Sequence, residues 1–442
     1  MPAFNLQTCA RPNILALEPY RCARDDYKDD GTNILLDANE NAFGPPLPND
    51  TTPTTTTTTT TNPSQETTPT LDLSTLHRYP DPHQTPLKHL LCTLRTTHAH
   101  TPRTLTPEHC FVGVGSDEAI DALLRCFCRP GRDRVLVCPP TYGMYGVSAQ
   151  VNDVAVVRVP LLGAERGFQV DVEGVRGVLD RDGCGEGGAG GDGVGRVKVV
   201  YLCSPGNPTG GLLRKEDVRA VLEHPSWNGV VVVDEAYVDF AREEDSLAEW
   251  VVEWPNLVVM QTLSKAFGLA GIRLGVAFTS PEIARLLNSL KAPYNVSSLT
   301  AGIAEYAVSE NGGLPKMREN RAKLIAQRER MVREMAKIEG VGRLRGGLDS
   351  NFLLYEMVDK DGKPDNATAL AVYERLAENK GVVVRFRGKE HGCLGCLRIT
   401  VGTEDEVTRF LAALSKTLAE VRGTAPAADE EKKEIAASEV VA

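Results

Sequence analysis

The sequence has no run of about 18 consecutive apolar residues, the length that a membrane-spanning helix needs. Residues 1–11 lack a basic flank followed by an apolar stretch, so no secretory signal is expected. Basic residues are also in deficit, since 49 Lys and Arg face 59 Asp and Glu and give a formal net charge of -10. Because binding to a phosphate backbone requires clustered cations, we expect no nucleic-acid partner and no membrane association.

The cysteines do not form the pattern of a disulfide framework. They number 11, an odd count, and are scattered along 442 residues. This favours reduced thiols in a cytoplasmic protein. Cys393 and Cys396 have CxxC spacing, but no second ligand pair accompanies them, so no metal site is expected.

Three segments differ in composition from the rest of the chain. Residues 51–61 are threonine apart from Pro53, and we expect a disordered Thr/Pro-rich insert at 49–70. The glycine-rich segment 183–195 is predicted to be a flexible loop, and 424–442 a disordered tail.

Between these segments, strand-like apolar runs alternate with helical patterns. Several runs are continuous stretches of Val, Ile and Leu, which is typical of strands covered on both faces. The predicted strands are 111–114, 134–138, 155–159, 197–203, 229–234, 256–262 and 274–279. This pattern predicts an α/β fold with a mostly parallel seven-stranded sheet.

The chain length suggests more than one domain, because single domains usually hold roughly 100–200 residues. We predict a large domain at 71–315 and a smaller α+β domain at 316–423, which begins with a long helix at 316–339. Strands at 382–385 and 396–401 are expected in the smaller domain. An N-terminal segment at 1–48 should pack on the small domain and the active site.

Polar side chains follow three of the predicted strands of the large sheet. Asn207 comes after 197–203, Asp234 and Tyr237 come at the end of the next strand, and Lys265 follows 256–262. Ligands of open α/β sheets bind beyond the carboxyl ends of the strands. An amide, a carboxylate, a phenol and an amine are therefore expected to converge at one edge.

Pyridoxal phosphate (PLP) accounts for this combination of groups. Its aldehyde needs an amine, which Lys265 supplies. Its pyridine nitrogen needs a carboxylate, and Asp234 at the end of an apolar strand fits. Its ring oxygen needs donors that lower the pKa of the imine, and Asn207 and Tyr237 can supply them.

The phosphate and ring of this cofactor need further groups. Taken one at a time, the candidate residues for the whole cofactor site have ordinary structural explanations, such as turns, helix caps or core packing. Jointly, at strand ends and in this order, they favour a cofactor site. The candidates for the phosphate are Ser116 and Asp117 at a predicted helix start, together with Thr262, Ser264 and Arg273. Tyr142 is the candidate for stacking on the ring.

The order of these residues along the chain resembles that of a known family. The order Asn-Pro-x-Gly, Asp-x-x-Tyr and Ser-Lys, with Arg273 eight residues after Lys265, is similar to fold-type I, class I and II aminotransferases. Segments 37–45, 78–82, 262–275 and 396–402 resemble the histidinol-phosphate aminotransferase branch. The similarity runs over about residues 12–422 and departs from the family in the two inserts.

The resemblance implies roles for the candidate residues. Lys265 would hold PLP as a Schiff base and act as the acid and base, Asp234 would pair with the pyridinium, and Asn207 and Tyr237 would hold the ring oxygen. Tyr79 would reach the cofactor phosphate of the neighbouring subunit in a homodimer.

The resemblance also implies how substrates bind. Arg398 would receive the α-carboxylate of glutamate, Arg385 would help bind the substrate phosphate, and Asn41 and Phe43 would close over the substrate. The arginine side chains suit these tasks independently, because guanidinium forks bind carboxylates and phosphates bidentately. Structural ion pairs are the alternative explanation for both arginines.

The activity implied is a ping-pong transfer that interconverts L-histidinol phosphate and 2-oxoglutarate with imidazole acetol phosphate and L-glutamate, in histidine biosynthesis. Three alternatives stay open at this stage: an aromatic amino-acid aminotransferase, a lyase resembling threonine-phosphate decarboxylase, and a PLP-binding regulator without turnover.

Overall fold

The computed structural model describes residues 4–15, 73–183 and 195–423. The expected insert at 49–70, the tail at 424–442 and most of the glycine-rich segment lie outside the described residues, as do Asn41 and Phe43. No helix of the described part is long and apolar enough to cross a membrane.

The described residues form two sheets flanked by helices. The strands are β1 (Cys110–Val114), β2 (Arg134–Val137), β3 (Ala155–Arg158), β4 (Val197–Cys203), β5 (Val230–Asp234), β6 (Leu257–Thr262), β7 (Leu274–Thr279), β8 (Val341–Leu344), β9 (Phe352–Met357), β10 (Arg385–Phe386) and β11 (Cys396–Thr400). The α-helices are α1 (Leu6–Cys9), α2 (Pro12–Leu15), α3 (Thr85–Arg95), α4 (Gly115–Phe127), α5 (Met144–Val151), α6 (Val172–Gly183), α7 (Lys215–Leu222), α8 (Pro281–Leu290), α9 (Ser298–Val308), α10 (Leu314–Met335), α11 (Asn366–Lys380) and α12 (Glu404–Arg422). Short 3-10 helices lie at Leu73–Thr75, Pro107–His109, Ala164–Arg166, Val238–Phe240, Glu243–Asp245, Ala248–Val252 and Ala270–Ile272.

The large sheet has seven strands in the order β1-β7-β6-β5-β4-β2-β3. Strand β7 runs antiparallel to both of its neighbours, and the other pairs are parallel. The predicted α/β fold with a mostly parallel seven-stranded sheet is confirmed. Each predicted strand is found, with ends that differ by one residue at most.

Both faces of the large sheet are covered, which explains the continuous apolar runs. Val231 and Val233 of β5 belong to one core cluster, while Val230 and Val232 belong to the other. Successive strand residues point to opposite faces, so a strand buried on both sides needs apolar residues at most positions. Helices α4 and α8 cover one face, and α3, α6, α7 and α9 contribute to the other.

The small sheet has the order β10-β11-β9-β8 and is antiparallel throughout. One face, with Leu397 and Ile399, packs on α11 and α12. The opposite face carries Leu354 and Cys396, which belong to a core cluster of the large sheet. Arg398 lies between Leu397 and Ile399 in β11, so it points toward the large sheet.

The smaller elements differ from the predictions in detail. Strand β10 is shorter and begins later than the run expected at 382–385, and β8 was not anticipated. Helix α10 ends at Met335, four residues before the predicted end of the helix at 316–339. The small sheet and its helices lie within 316–423, but the domain boundaries themselves stay a prediction.

Candidate active site

Three parallel strands bring the predicted residues to one edge of the large sheet. The register places Asp234, the last residue of β5, beside Cys203 of β4 and Met260 of β6. The loops after β4 and β5 therefore start at the same level, and β6 extends two residues further, to Thr262. Asn207 and Lys265 lie in the loops after β4 and β6, as expected for a site beyond the carboxyl ends of the strands.

The carboxylate of Asp234 is buried and held by two donors. The Tyr145 hydroxyl donates to Oδ2 at 2.6 Å, and the Ala236 amide donates to Oδ1 at 3.1 Å. Burial raises the pKa of Asp234, and these two hydrogen bonds oppose that rise. A protonated pyridine nitrogen would provide the charge that such a buried carboxylate needs.

Tyr145 was missed by the sequence analysis. Its ring stacks on Tyr201, with centroids 4.5 Å apart, and is completely buried. The only signal in the sequence was its position three residues after Tyr142, which is also typical of ordinary core packing on a helix.

Lys265 lies beside an aromatic ring, with its side chain exposed at the surface of the chain. Its Nζ is 5.6 Å from the centroid of the Tyr237 ring. Its pKa is lowered mainly by partial desolvation and next by the positive charge of Arg398, while Asp234 acts in the opposite direction. A lowered pKa increases the neutral fraction of the amine, which is the form that attacks an aldehyde.

Asn207 and Tyr237 are placed as hydrogen-bond donors. Asn207 is buried, and its Oδ1 accepts a 2.6 Å hydrogen bond from Nη1 of Arg398. This contact occupies the acceptor end of the amide and leaves Nδ2 as a donor. Burial raises the pKa of Tyr237, so its phenol stays protonated. Both side chains fit an anionic ring oxygen.

The start of helix α4 forms a cradle suited to an anion. The Gly115 amide donates to the Arg273 carbonyl at 3.0 Å, and Arg273 adopts a left-handed conformation with φ of 53°. A Cβ on Gly275 would lie 2.4 Å from backbone atoms of Gly115 and Ser116, so β7 and the helix start are in close contact. The first amides of a helix have no intrahelical partner, and they favour a phosphate there.

The side chains around this cradle form two linked groups. Asp117 Oδ2 lies 3.4 Å from Nη2 of Arg273, and its Oδ1 accepts a 3.2 Å hydrogen bond from the Tyr142 hydroxyl. Thr262 Oγ1 lies 2.9 Å from Ser264 Oγ. Burial and the charge of Asp117 raise the pKa of Tyr142 to about 12. All five predicted residues therefore border the helix start or the end of β6.

The predicted arginines lie on paired strands. Arg385 of β10 and Arg398 of β11 are direct partners in the antiparallel register. The Arg398 guanidinium carbon is 5.3 Å from the centroid of the Phe352 ring. Arg398 is half-buried and contacts Asn207, whereas Arg385 is exposed.

Tyr79 lies at the surface of the chain. Its side chain is 49% exposed, and its ring stacks on Tyr294 with centroids 4.6 Å apart. The remaining predicted residues are brought together within one chain, with the exception of Asn41 and Phe43, which lie outside the described residues.

Comparison with known proteins agrees with this geometry. The family model "Aminotransferase class I and II" matches residues 33–414. A histidinol-phosphate aminotransferase from Schizosaccharomyces pombe is 45% identical over 419 residues, which cover 94% of this chain and 98% of that protein.

Solved structures show the same fold. A histidinol-phosphate aminotransferase from Sinorhizobium meliloti, in complex with pyridoxal-5'-phosphate, has a TM-score of 0.65 at 24% identity, covering 78% of this chain and 84% of that chain. An L-threonine-O-3-phosphate decarboxylase from Porphyromonas gingivalis has a TM-score of 0.56 at 19% identity, covering 78% of this chain and 92% of that chain. At these identities the likeness concerns the fold alone.

The family match spans most of the chain, and the fold and the converging residues agree with it. The prediction of a PLP-dependent aminotransferase of fold type I is thereby confirmed. This chain belongs to the class I and II aminotransferases.

Proposed function

We propose that this enzyme is a histidinol-phosphate aminotransferase, which interconverts L-histidinol phosphate and 2-oxoglutarate with imidazole acetol phosphate and L-glutamate in histidine biosynthesis. The 2.6 Å contact between Arg398 and Asn207 supports an aminotransferase site, and the identity to the S. pombe enzyme carries the choice of substrate. The contact joins an arginine of the small sheet to the cofactor residues around Lys265 and Asp234. The 45% identity to the S. pombe enzyme over nearly the full length supports the substrate assignment.

The residues of the site fit PLP, which would supply an electron sink for the bond changes at the substrate carbon. Asp234, held by Tyr145, would pair with the protonated ring nitrogen. Asn207 and Tyr237 would donate to the ring oxygen, and Tyr142 would stack on the ring. The phosphate would be bound by the backbone amides of Ser116 and Asp117 and by the side chains of Thr262, Ser264 and Arg273.

Lys265 would transfer the proton that transamination requires. The lowered pKa of its amine suits a base that accepts a proton from the substrate carbon bearing the amino group. The same Nζ would return a proton to the cofactor side, so one group would serve both half-reactions.

The two arginines would divide the recognition of substrates. Arg398, fixed by Asn207, would bind the α-carboxylate of glutamate. Arg385, its exposed neighbour across the strand pair, would bind the phosphate of L-histidinol phosphate. Asn41 and Phe43 complete the proposed substrate site.

The assembly and location of the enzyme are part of the same proposal. Tyr79, exposed beside Tyr294, would reach the cofactor phosphate of a second subunit in a homodimer. The nine described cysteines are buried free thiols, which suits a cytoplasmic enzyme. We assign the large domain to 71–315, the small domain to 316–423 and the N-terminal segment to 1–48.

A substrate panel with the purified holoenzyme tests this function. With glutamate fixed, formation of 2-oxoglutarate should be far faster with imidazole acetol phosphate than with phenylpyruvate. The Lys265→Ala variant should show no turnover with either. A preference for phenylpyruvate would point to an aromatic aminotransferase, and release of carbon dioxide from threonine phosphate would point to a lyase.

A further inference from the structure

A third arginine, Arg387, lies on the same face of the small sheet as Arg385 and Arg398. Its amide donates to the Cys396 carbonyl at 2.9 Å, so the pairing of β10 with β11 continues past Phe386. Residues two apart on a strand point to the same side. Arg387 therefore shares the face of Arg385, and this face is directed toward the large sheet.

The guanidinium of Arg387 is held on one side and free on the other. Its Nη1 lies 2.8 Å from Oε1 of Glu390. Its Nε is buried and has no hydrogen-bond partner among the described residues. The side chain is only 23% exposed. A guanidinium in this state is oriented in advance and still has donor capacity for a ligand.

The charges on this face favour an anion. Neither Arg385 nor Arg398 has a carboxylate within 4.0 Å in the described part of the chain, and Glu390 is the acidic partner of Arg387. Three guanidinium groups and one carboxylate leave an excess of two positive charges. After burial, the charge of Arg387 is the largest influence that lowers the pKa of Arg398, ahead of that of Arg385. Arg387 is therefore close to the substrate-binding arginine.

We infer that Arg387, oriented by Glu390, is a specificity residue that binds the phosphate of the substrate together with Arg385. Arg398 is then left for the α-carboxylate of the amino-acid donor. A phosphate monoester carries close to two negative charges at neutral pH, which matches the local excess of positive charge. This inference rests on the proposed function and names the groups that distinguish a phosphorylated substrate.

The decisive experiment compares substrates with and without the phosphate on Arg387→Gln holoenzyme. Single-turnover rates are followed through the visible absorbance of the bound cofactor, with L-histidinol phosphate, L-histidinol and L-alanine as donors. The expected result is a loss of about 10- to 100-fold in kcat/KM for L-histidinol phosphate, with little change for the other two. Arg387→Lys should recover part of the loss, since it restores the charge without the fork.

Two further variants separate positioning from general charge effects. Glu390→Gln removes the group that orients Arg387, and it should raise the KM for L-histidinol phosphate severalfold with kcat unchanged. Lys389→Gln removes one positive charge at an exposed position of the same loop. It should leave the KM for each of the three donors unchanged.

The outcomes distinguish the inference from the function on which it rests. If Arg387→Gln lost kcat/KM equally for L-histidinol and L-histidinol phosphate, with an unchanged melting temperature, only the role inferred for Arg387 would be overturned. Wild-type enzyme that fails to convert L-histidinol phosphate would overturn the proposed function and this inference with it.

Discussion

The Tyr145 hydroxyl donates a 2.6 Å hydrogen bond to Asp234, across 89 positions of sequence. The tyrosine is fully buried and lies between Tyr142 and Tyr201, so its orientation is determined by packing on both sides. It connects helix α5 to the carboxylate that would pair with the cofactor ring. Tyr145 would therefore act on the cofactor through Asp234.

Removing this hydroxyl should weaken the cofactor site without unfolding the protein. In Tyr145→Phe, Asp234 loses a bond that lowers its pKa, so its pKa rises further and the carboxylate is protonated at higher pH. We expect kcat/KM to fall about 10-fold and the acidic limb of its pH profile to move upward. Steady-state rates from pH 5 to 9 measure both.

The matched control is Tyr201→Phe. Its hydroxyl donates to the Ile120 carbonyl at 3.2 Å and does not contact Asp234. This variant should keep the wild-type pH profile. An identical shift in both variants would argue for a general loosening of the tyrosine stack.

Glycine at position 275 should be essential to the phosphate cradle. A methyl group there would lie 2.4 Å from backbone atoms of Gly115 and Ser116, and backbone cannot rotate away. Gly275→Ala should reduce the free energy of unfolding by about 1–3 kcal/mol and raise the dissociation constant of PLP. Chemical denaturation and cofactor titration test the two effects.

Gly271 provides a control in the same segment. A Cβ there would meet no atom within 4 Å, and its φ is not positive. Gly271→Ala should therefore leave both quantities near their wild-type values. Normal cofactor affinity in Gly275→Ala would contradict the cradle.

Loss of the Arg398 guanidinium should affect the two amino donors, glutamate and L-histidinol phosphate, to different extents. Glutamate has an α-carboxylate, and L-histidinol phosphate has none. Arg398→Gln should therefore reduce kcat/KM for glutamate about 100-fold or more, and affect L-histidinol phosphate much less. Half-reaction kinetics with each donor measure the difference, and Arg385→Gln should show the opposite preference.

Lys291 should make the stability of the protein depend on alkaline pH. Its Nζ donates to the Pro82 carbonyl at 2.6 Å and to Oδ1 of Asn295 at 3.1 Å, and burial lowers its pKa to about 8. The ordinary pKa of a lysine is 10.5, so between about pH 8 and pH 10.5 the unfolded chain binds more protons than the folded one. Stability contributed at this position therefore rises with pH across that window and is lowest below it.

The measurement is the urea midpoint of wild type and Lys291→Met at pH 7 and pH 9.5. The midpoint of the wild type relative to the variant should increase at the higher pH. Lys360→Met, at an exposed lysine, is the control and should show no such change. A pH-independent difference at Lys291 would mean that its amine titrates normally in the folded state.

The strands of the large sheet and the cofactor residues could be predicted from the sequence alone. A strand buried on both faces is mostly apolar, so β4, β5 and β6 are visible as apolar runs, with Lys198 near the start of β4 and Gln261 near the end of β6 as exceptions. Polar groups such as Asp234 and Lys265 otherwise interrupt the pattern only where the strands end. Parallel strands then place those groups at one edge without further information.

Other parts of the site were decided by tertiary structure. Tyr145 resembles any core tyrosine until the fold brings its hydroxyl to Asp234. Arg387 and Glu390 are charged residues that follow the short strand β10. The sequence predicted this strand at 382–385, whereas the structure has it at Arg385–Phe386. The role of the two residues depends on the register of β10 against β11 and on which face of the small sheet meets the large one. Neither property is encoded by local periodicity, because both arise from contacts between segments far apart in the chain.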